Sequence, residues 1–262
     1  MTVRRISRFL WAGLLAWSMP ALAEEDVIIG VEELDLLPYY SGASTEYRGF
    51  ARELLDNFAV QYDLDIQYKS MPLRRLAIAL QEGEVDLRFP DRPAWRNQEM
   101  EEHRVYFSLP VMPFTDGFMV RPGLVDHTPY RMKSVGRVRG FALPKSWRDS
   151  LHMVRVHHVE TDSLASLLDL AEMERTDAVY FNRAVFQWHQ EYRRGKPSMM
   201  VFDPVLPSSK GNFHLSTVHR LDLLEKFDEY LTTYRHWIDD RLKYWEVTVE
   251  RQLTEGAYRP DR

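Results

Sequence analysis

The stretch MPLRRLAIALQEGEVDLRF, residues 71–89, decides the fold. Pro72 stands where a helix tolerates proline, in its first turn, and Leu73, Leu76, Ala77 and Leu80 recur at threes and fours as one apolar face. Gly83 ends that helix, and Val85-Asp86-Leu87-Arg88-Phe89 follows as a strand. Towards the N-terminus, Leu64-Asp65-Ile66-Gln67-Tyr68 alternates as a strand, preceded by a helix with Tyr47, Phe50, Ala51, Leu54, Leu55 and Phe58 on one face. Val27-Ile28-Ile29-Gly30-Val31 is a short buried-type strand, set off from that helix by the turn-prone Pro38 and Ser41-Gly42. Strand, helix, strand, helix, strand predicts parallel pairing through right-handed crossovers.

Towards the C-terminus the pattern restarts. Val135 to Val138 reads as a strand, with a turn at Gly140 and a helix over Pro144 to Leu151. Met153 to Val159 is a strand, and Asp162 or Ser163 caps a helix carrying Leu164, Leu167, Leu168 and Ala171. Ala178-Val179-Tyr180-Phe181 is a strand, and Arg183 to Tyr192 a helix. Two α/β units in series predict two lobes. A last helical element runs from Leu221 to about Val247, with Leu224, Phe227, Leu231, Tyr234, Ile238 and Leu242 as its stripe.

The start of the chain bears on compartment. Arg4, Arg5 and Arg8 form a basic leader, Phe9 to Trp17 a short apolar run, and Met19-Pro20 breaks it ahead of Ala21-Leu22-Ala23, a small-x-small cleavage site before Glu24. Residues 1–23 are expected to be a secretory signal peptide, since the apolar run is too short to span a bilayer. With no cysteine, the mature chain is expected to carry neither a lipid anchor nor a disulfide, so its stability rests on its core. Three of the 34 basic residues and none of the 39 acidic ones lie in the leader, leaving 31 against 39, a formal charge of −8. That balance carries no basic footprint for nucleic acid.

In order and spacing these pieces resemble the family 3 bacterial solute-binding proteins, known mostly for polar amino acids. Leu37-Pro38-Tyr39-Tyr40 sits where that family has an aromatic beside the ligand. Tyr47-Arg48-Gly49-Phe50 with Glu53-Leu54 is similar to its Gly-Phe helix start, although Ala51 stands where an Asp is usual. Met71-Pro72 through Leu87 is the nearest match, and Val135 to Gly140, Thr176 to Val179 and Asp240 to Trp245 resemble later segments. The resemblance implies an α/β chain with the type II two-lobed periplasmic-binding-protein fold, two parallel-sheet lobes joined by two crossing strands. The crossings are expected near Phe118 to Arg121 and Phe213 to Ser216, so that 24–119 with 214–262 make lobe 1 and 120–213 make lobe 2. It also implies a monomeric periplasmic protein that captures a small solute by lobe closure, without chemistry or cofactor, and delivers it to an inner-membrane ABC permease.

Ligands of open parallel sheets sit outside the carboxyl ends of the strands. Three loops qualify: one carrying Glu32, Glu33, Tyr39 and Tyr40; the stretch Arg88 to Arg96; and Arg139-Gly140-Phe141-Ala142. Gly140 lets backbone N–H groups approach an anion near an expected helix start. By resemblance Arg96 is the arginine that grips a ligand carboxylate, a bidentate fit for guanidinium. That loop is about two residues shorter than the family's, with Pro90-Asp91 in place of hydroxyl residues. Arg88 ends a strand that should be buried, so it needs a partner or a ligand; the alternatives are ligand contact and pairing with Asp91 or a nearby Glu. Arg92 is more often a solvated loop charge, and which of Arg88, Arg92 and Arg96 faces the cleft stays open. Asn182 falls where the family holds the carboxylate for an amino acid's ammonium, which favours an anionic solute unless Asp91, Glu32 or Glu33 supplies the charge. Asn182 is also placed to cap the helix from Arg183. The expected binding set is therefore Tyr39, Tyr40, Arg88, Asp91, Arg96, Arg139, Gly140 and Asn182.

His157-His158 on a strand point to opposite faces and suit no shared metal. No nucleophile elbow, phosphate loop or His-Glu-x-x-His occurs. The alternatives kept open are a sensor or interaction module of the same fold and a lyase resembling cyclohexadienyl dehydratase, which would need a cleft acid.

Overall fold

Parallel strands buried on both faces read as near-continuous apolar runs, and the first strand shows this. In β1 (Glu25–Glu32) the last four residues, Ile29 to Glu32, are all buried. The computed structural model describes residues 25–44, 46–95, 103–125, 131–149, 155–193 and 200–247; the expected leader over 1–23 and Arg96 lie outside them. After β1 come the short hairpin β2 (Asp35–Leu36) and β3 (Tyr40–Ser41), then β4 (Leu64–Met71) and β5 (Leu87–Asp91). Both β4 and β5 pair parallel to β1. The helices Phe50–Tyr62 and Leu73–Gln81 make the crossovers between them.

The second unit repeats the plan. β8 (Ser134–Val138), β9 (His157–Thr161) and β10 (Ala178–Asn182) are parallel, in the order β10-β8-β9. Two longer strands join the units, β7 (Met112–Val120) and β12 (Ser209–Thr217). They pair antiparallel over Met112–Asp116 and Ser209–Phe213. Beyond that ribbon β12 pairs with β5 and with the short β6 (Tyr106–Phe107), and β7 pairs with β10 and with β11 (Val201–Phe202). The path through the sheet is β4-β1-β5-β12-β7-β10-β8-β9. Parallel pairing is confined to the two units, and apart from the β2–β3 hairpin the antiparallel strand pairs involve the joining strands, as two repeated α/β units linked by two strands require.

The periodicities find their cores. Phe50, Leu54, Leu55 and Phe58 are buried, with Phe58 packed edge-on to Phe227 at 5.1 Å. In the other unit Phe118 lies 4.6 Å from Trp147 and 5.0 Å from Tyr180, ring centre to ring centre. Several elements differ from expectation: β9 is His157–Thr161 where a strand is expected over Met153 to Val159, and the helix expected over Pro144 to Leu151 is regular over Lys145–Arg148. Leu73 is exposed, because the buried face of its helix is Leu76, Ala79 and Leu80 and begins a turn later. The terminal element is two helices, Leu221–Thr233 and Arg235–Tyr244, separated at Tyr234, whose ψ of 20° is not helical. The helix after Asn182 is regular only over Arg183–Trp188 and continues as a π turn, His189–Arg193. Among the described residues no helix is long and apolar enough to cross a membrane.

One glycine fixes how the first loop meets its helix. Gly49 has φ 101° and ψ −175°, a region left to glycine, and a Cβ there would stand 2.8 Å from the Tyr40 Cα and 2.9 Å from the Tyr39 carbonyl oxygen. Gly49→Ala is expected to cost about 1–3 kcal/mol from the backbone conformation alone. Urea unfolding would check this, and a change within about 0.5 kcal/mol, the range of ordinary surface substitutions, would show that the loop relaxes freely.

Candidate functional site

The carboxyl ends of β1 and β5 meet over a buried charge cluster. Arg88 is 2% exposed, Glu32 2% and Asp91 0%. Arg88 Nη2 donates to Glu32 Oε1 at 3.2 Å, and its Nη1 lies 3.5 Å from Asp91 Oδ1. The Tyr40 hydroxyl donates to Glu32 Oε2 at 2.6 Å, and Ser216 Oγ to Asp91 Oδ2 at 2.6 Å. Arg88 therefore takes both pairing partners foreseen for it and ties β1, β5, β12 and the first loop together. Asp91 also accepts the Arg92 backbone N–H at 2.8 Å, which fixes the start of the next loop. Burial pushes the Glu32 carboxyl up, against the pull of the Arg88 charge and the Tyr40 hydrogen bond.

Above this cluster a cavity of about 610 Å³ opens between the units. Tyr39, Tyr40, Gly140 and Asn182 line it, as the sequence suggested, and so does Glu32. Arg88, Asp91 and Arg139 are not among its lining. Arg88 and Asp91 are sealed by their mutual pairing. Arg139 is exposed and pairs with Asp162 at 2.9 Å and Glu160 at 3.8 Å, carboxylates at the end of β9 that draw it outward. Gly140 has φ 90° and carries its loop along the wall, but the expected helix start is not beside it: Pro144 delays the helix to Lys145–Arg148, a single turn.

Arg92, Asp116 and Lys210 line the cleft although none of them is in the expected binding set. Arg92 is not a solvated loop charge. Its side chain is 18% exposed, its guanidinium lies 4.1 Å from the Phe114 ring centre and 5.4 Å from that of Phe213, and Nη1 is 3.5 Å from Asp116 Oδ2. Stacking on aromatic faces holds guanidinium in a plane while leaving its edge to planar oxyanions. Asp116 stands in β7 with Phe114, Phe118, Met119 and Val120 buried around it, and a charge in such a strand is the same signal that singled out Arg88. Asn182 does two jobs, as the end of β10 allows: its Oδ1 accepts the Val185 N–H at 3.1 Å, capping the helix, and its Nδ2 donates to Asp116 Oδ1 at 3.0 Å. Burial raises Asp116 above its ordinary value, opposed by the Arg92 charge and the Asn182 amide. Burial likewise pushes the Tyr39 phenol well up, so it stays a neutral hydroxyl in the cleft.

A second cavity of about 390 Å³ is lined by Pro113 and Thr115 of β7 with Arg183, Ala184 and Val247, and shares Tyr39, Phe114 and Lys210 to Asn212 with the first. Among the described residues no group of three or more His, Cys, Asp or Glu side chains could hold a metal ion.

Neither a family model nor a curated protein sequence matches the chain. Solved structures do. An ABC uptake transporter substrate-binding protein from Streptococcus pneumoniae with bound histidine superposes with TM-score 0.62 at 15% identity, covering 84% of this chain and 92% of that one. The periplasmic VFT2 domain of Bordetella pertussis BvgS matches at TM-score 0.62 and 18% identity, over 84% and 93% of the two chains. The ancestral amino-acid-binding protein AncCDT-1, a precursor of cyclohexadienyl dehydratase, matches at TM-score 0.60 and 14% identity, over 84% and 94%. The chain has the two-lobed periplasmic-binding-protein fold of these structures.

Removing one member of a buried ion cluster strands the others. Arg88→Met leaves Glu32 and Asp91 facing each other and is expected to cost about 3–5 kcal/mol in chemical unfolding; a loss below about 1 kcal/mol would show the cluster to be hydrated. Asp116 makes a pH-dependent contribution. Its raised folded value means that it holds its proton more tightly folded than unfolded, so this contribution is full below the ordinary 3.8 and is lost as pH rises through the folded value. Asp116→Asn should therefore flatten that fall in unfolding free energy over a series from about pH 3 to 7; an unchanged slope would assign it to other carboxyls.

Proposed function

We propose that the chain is a solute-binding protein that captures a small carboxylate-bearing solute, an amino acid or an organic acid, by closing its two lobes, and that it serves an ABC-type importer in the periplasm. The observation that carries this reading is Arg92, laid on Phe114 inside the cleft and facing Asp116. Guanidinium presents a planar fork of donors that fits a carboxylate in a bidentate pair, and stacking on Phe114 holds that fork inside the cleft. Arg92 takes the clamp role that the resemblance assigned to Arg96, from a position four residues nearer the strand. Asp116, with Asn182 beside it, supplies the negative charge that the neutral Asn182 alone lacks. The cleft therefore suits a zwitterion as well as an anion, a wider class than Asn182 by itself favoured. The fold shared with an amino-acid-binding transporter protein supports the same reading.

A second reading has one observation of its own. Asp116 is a cleft carboxyl with a raised pKa, the property of a general acid or base, on a fold shared with the AncCDT-1 precursor. As a lyase the chain would turn over a cyclic hydroxy acid, and Asp116→Asn would abolish the reaction.

Thermal unfolding against amino acids, keto and hydroxy acids, sugars and inorganic anions tests both. A ligand at about a hundred times its Kd adds roughly 2.7 kcal/mol, several degrees in Tm. The expected result is a shift with carboxylates that Arg92→Ala removes, with Asp116→Asn weakening amino acids more than organic acids. Consumption of the stabilising ligand would favour the lyase, and no shift with any compound would sink the solute-capture reading.

A further inference from the structure

The cleft changes character from its base to its mouth. Arg92, Asp116 and Asn182 gather at the base, on the β5 loop, the joining ribbon and the end of β10. On one side of the mouth the wall is apolar: Leu34 is 43% exposed and Leu73 45%, and both line the cavity, whereas Ser209, Lys210 and Asn212 line it from β12. The two leucines come from separate elements, the turn after β1 and the first turn of the helix Leu73–Gln81. Phe141 of the second unit lines the same cavity, held 4.4 Å from Phe181 ring to ring. Single exposed leucines need no explanation, but apolar groups from three elements converging on one cavity do. The cavity, about 610 Å³, lies within the ~300–1,000 Å³ of small-molecule sites and has room beyond a carboxylate and an ammonium group.

We propose that the cleft selects a carboxylate carrying an apolar body of aromatic or branched-aliphatic size. The carboxylate sits on Arg92, and the body fills the mouth against Leu34, Leu73 and Phe141. The inference rests on the solute-capture reading and adds the class of solute. Apolar burial of a leucine-sized group is worth about a factor of ten or more in affinity, enough to set the preference.

Calorimetric titration with matched pairs tests it: leucine against asparagine, phenylalanine against glutamine, phenylpyruvate against pyruvate. The expected result is that the apolar member of each pair binds at least about tenfold tighter. Leu34→Ser and Leu73→Ser, both at exposed positions, should cut that affinity roughly tenfold and change the polar member's less than about twofold. Unfolding curves would check that both variants fold. Tighter or equal binding of the polar members overturns the inference while the solute-capture reading stands. Equal weakening of both members by the serine changes also overturns it, because the leucines would then serve lobe-to-lobe contact. Binding of no member of any pair overturns both.

Discussion

A guanidinium sealed from water organises one side of this molecule. Arg88 sits at the end of a parallel strand, where desolvation would expel an unpaired charge, so the chain around it must provide acceptors. Glu32 arrives from β1 and Asp91 from β5 itself, and their outer oxygens are taken by the Tyr40 and Ser216 hydroxyls. Each partner belongs to a different segment, so satisfying one charge registers β1, β5, β12 and the first loop against each other. Such a cluster adds little net stability, since desolvation offsets most of the Coulomb gain. What it adds is position: Asp91 holds the Arg92 backbone N–H, and Arg92 reaches the cleft.

The cleft follows the same economy of shared groups. Phe114 and Phe213 lie on the two joining strands and form the surface on which Arg92 rests. Asn182 ends β10, caps the following helix and steadies Asp116 with one amide. Asp116 stands opposite Asn182 in the pairing of β7 with β10, so the acid that the resemblance places at the β10 end has its counterpart here on the ribbon, one strand away.

Most of the fold was legible before any coordinates. The stretch 71–89, with its helical stripe, Gly83 and apolar strand, folds as read, because local periodicity and the turn residue agree. The four-residue helix after Pro144 and the separation at Tyr234 were not legible, since short helices and single off-helix residues leave no periodic trace. The site was half legible. Tyr39, Tyr40, Gly140 and Asn182 lie at strand ends, where topology alone puts them in the cleft. Arg92 and Asp116 meet because β5, β12 and β7 are neighbours, a pairing between distant segments that no local window reveals. Arg139 was misplaced for the same reason, its partners Glu160 and Asp162 lying on the next strand of the sheet.

Under the proposed lobe closure, the antiparallel ribbon of β7 and β12 would serve as the hinge. In that arrangement Phe114, Asp116 and Phe213 would ride on the hinge itself, where a captured solute would touch them whether the lobes are apart or together. Contacts of equal strength in both conformations raise affinity without shifting the balance between them. Groups that stand on the lobes, Leu34 and Leu73 on one side and the Gly140 to Ala142 wall on the other, would be the ones to make capture conditional on closure. On the solute-capture reading, affinity and conformational reporting would fall to different parts of one cavity, and substitutions could alter either while leaving the other in place.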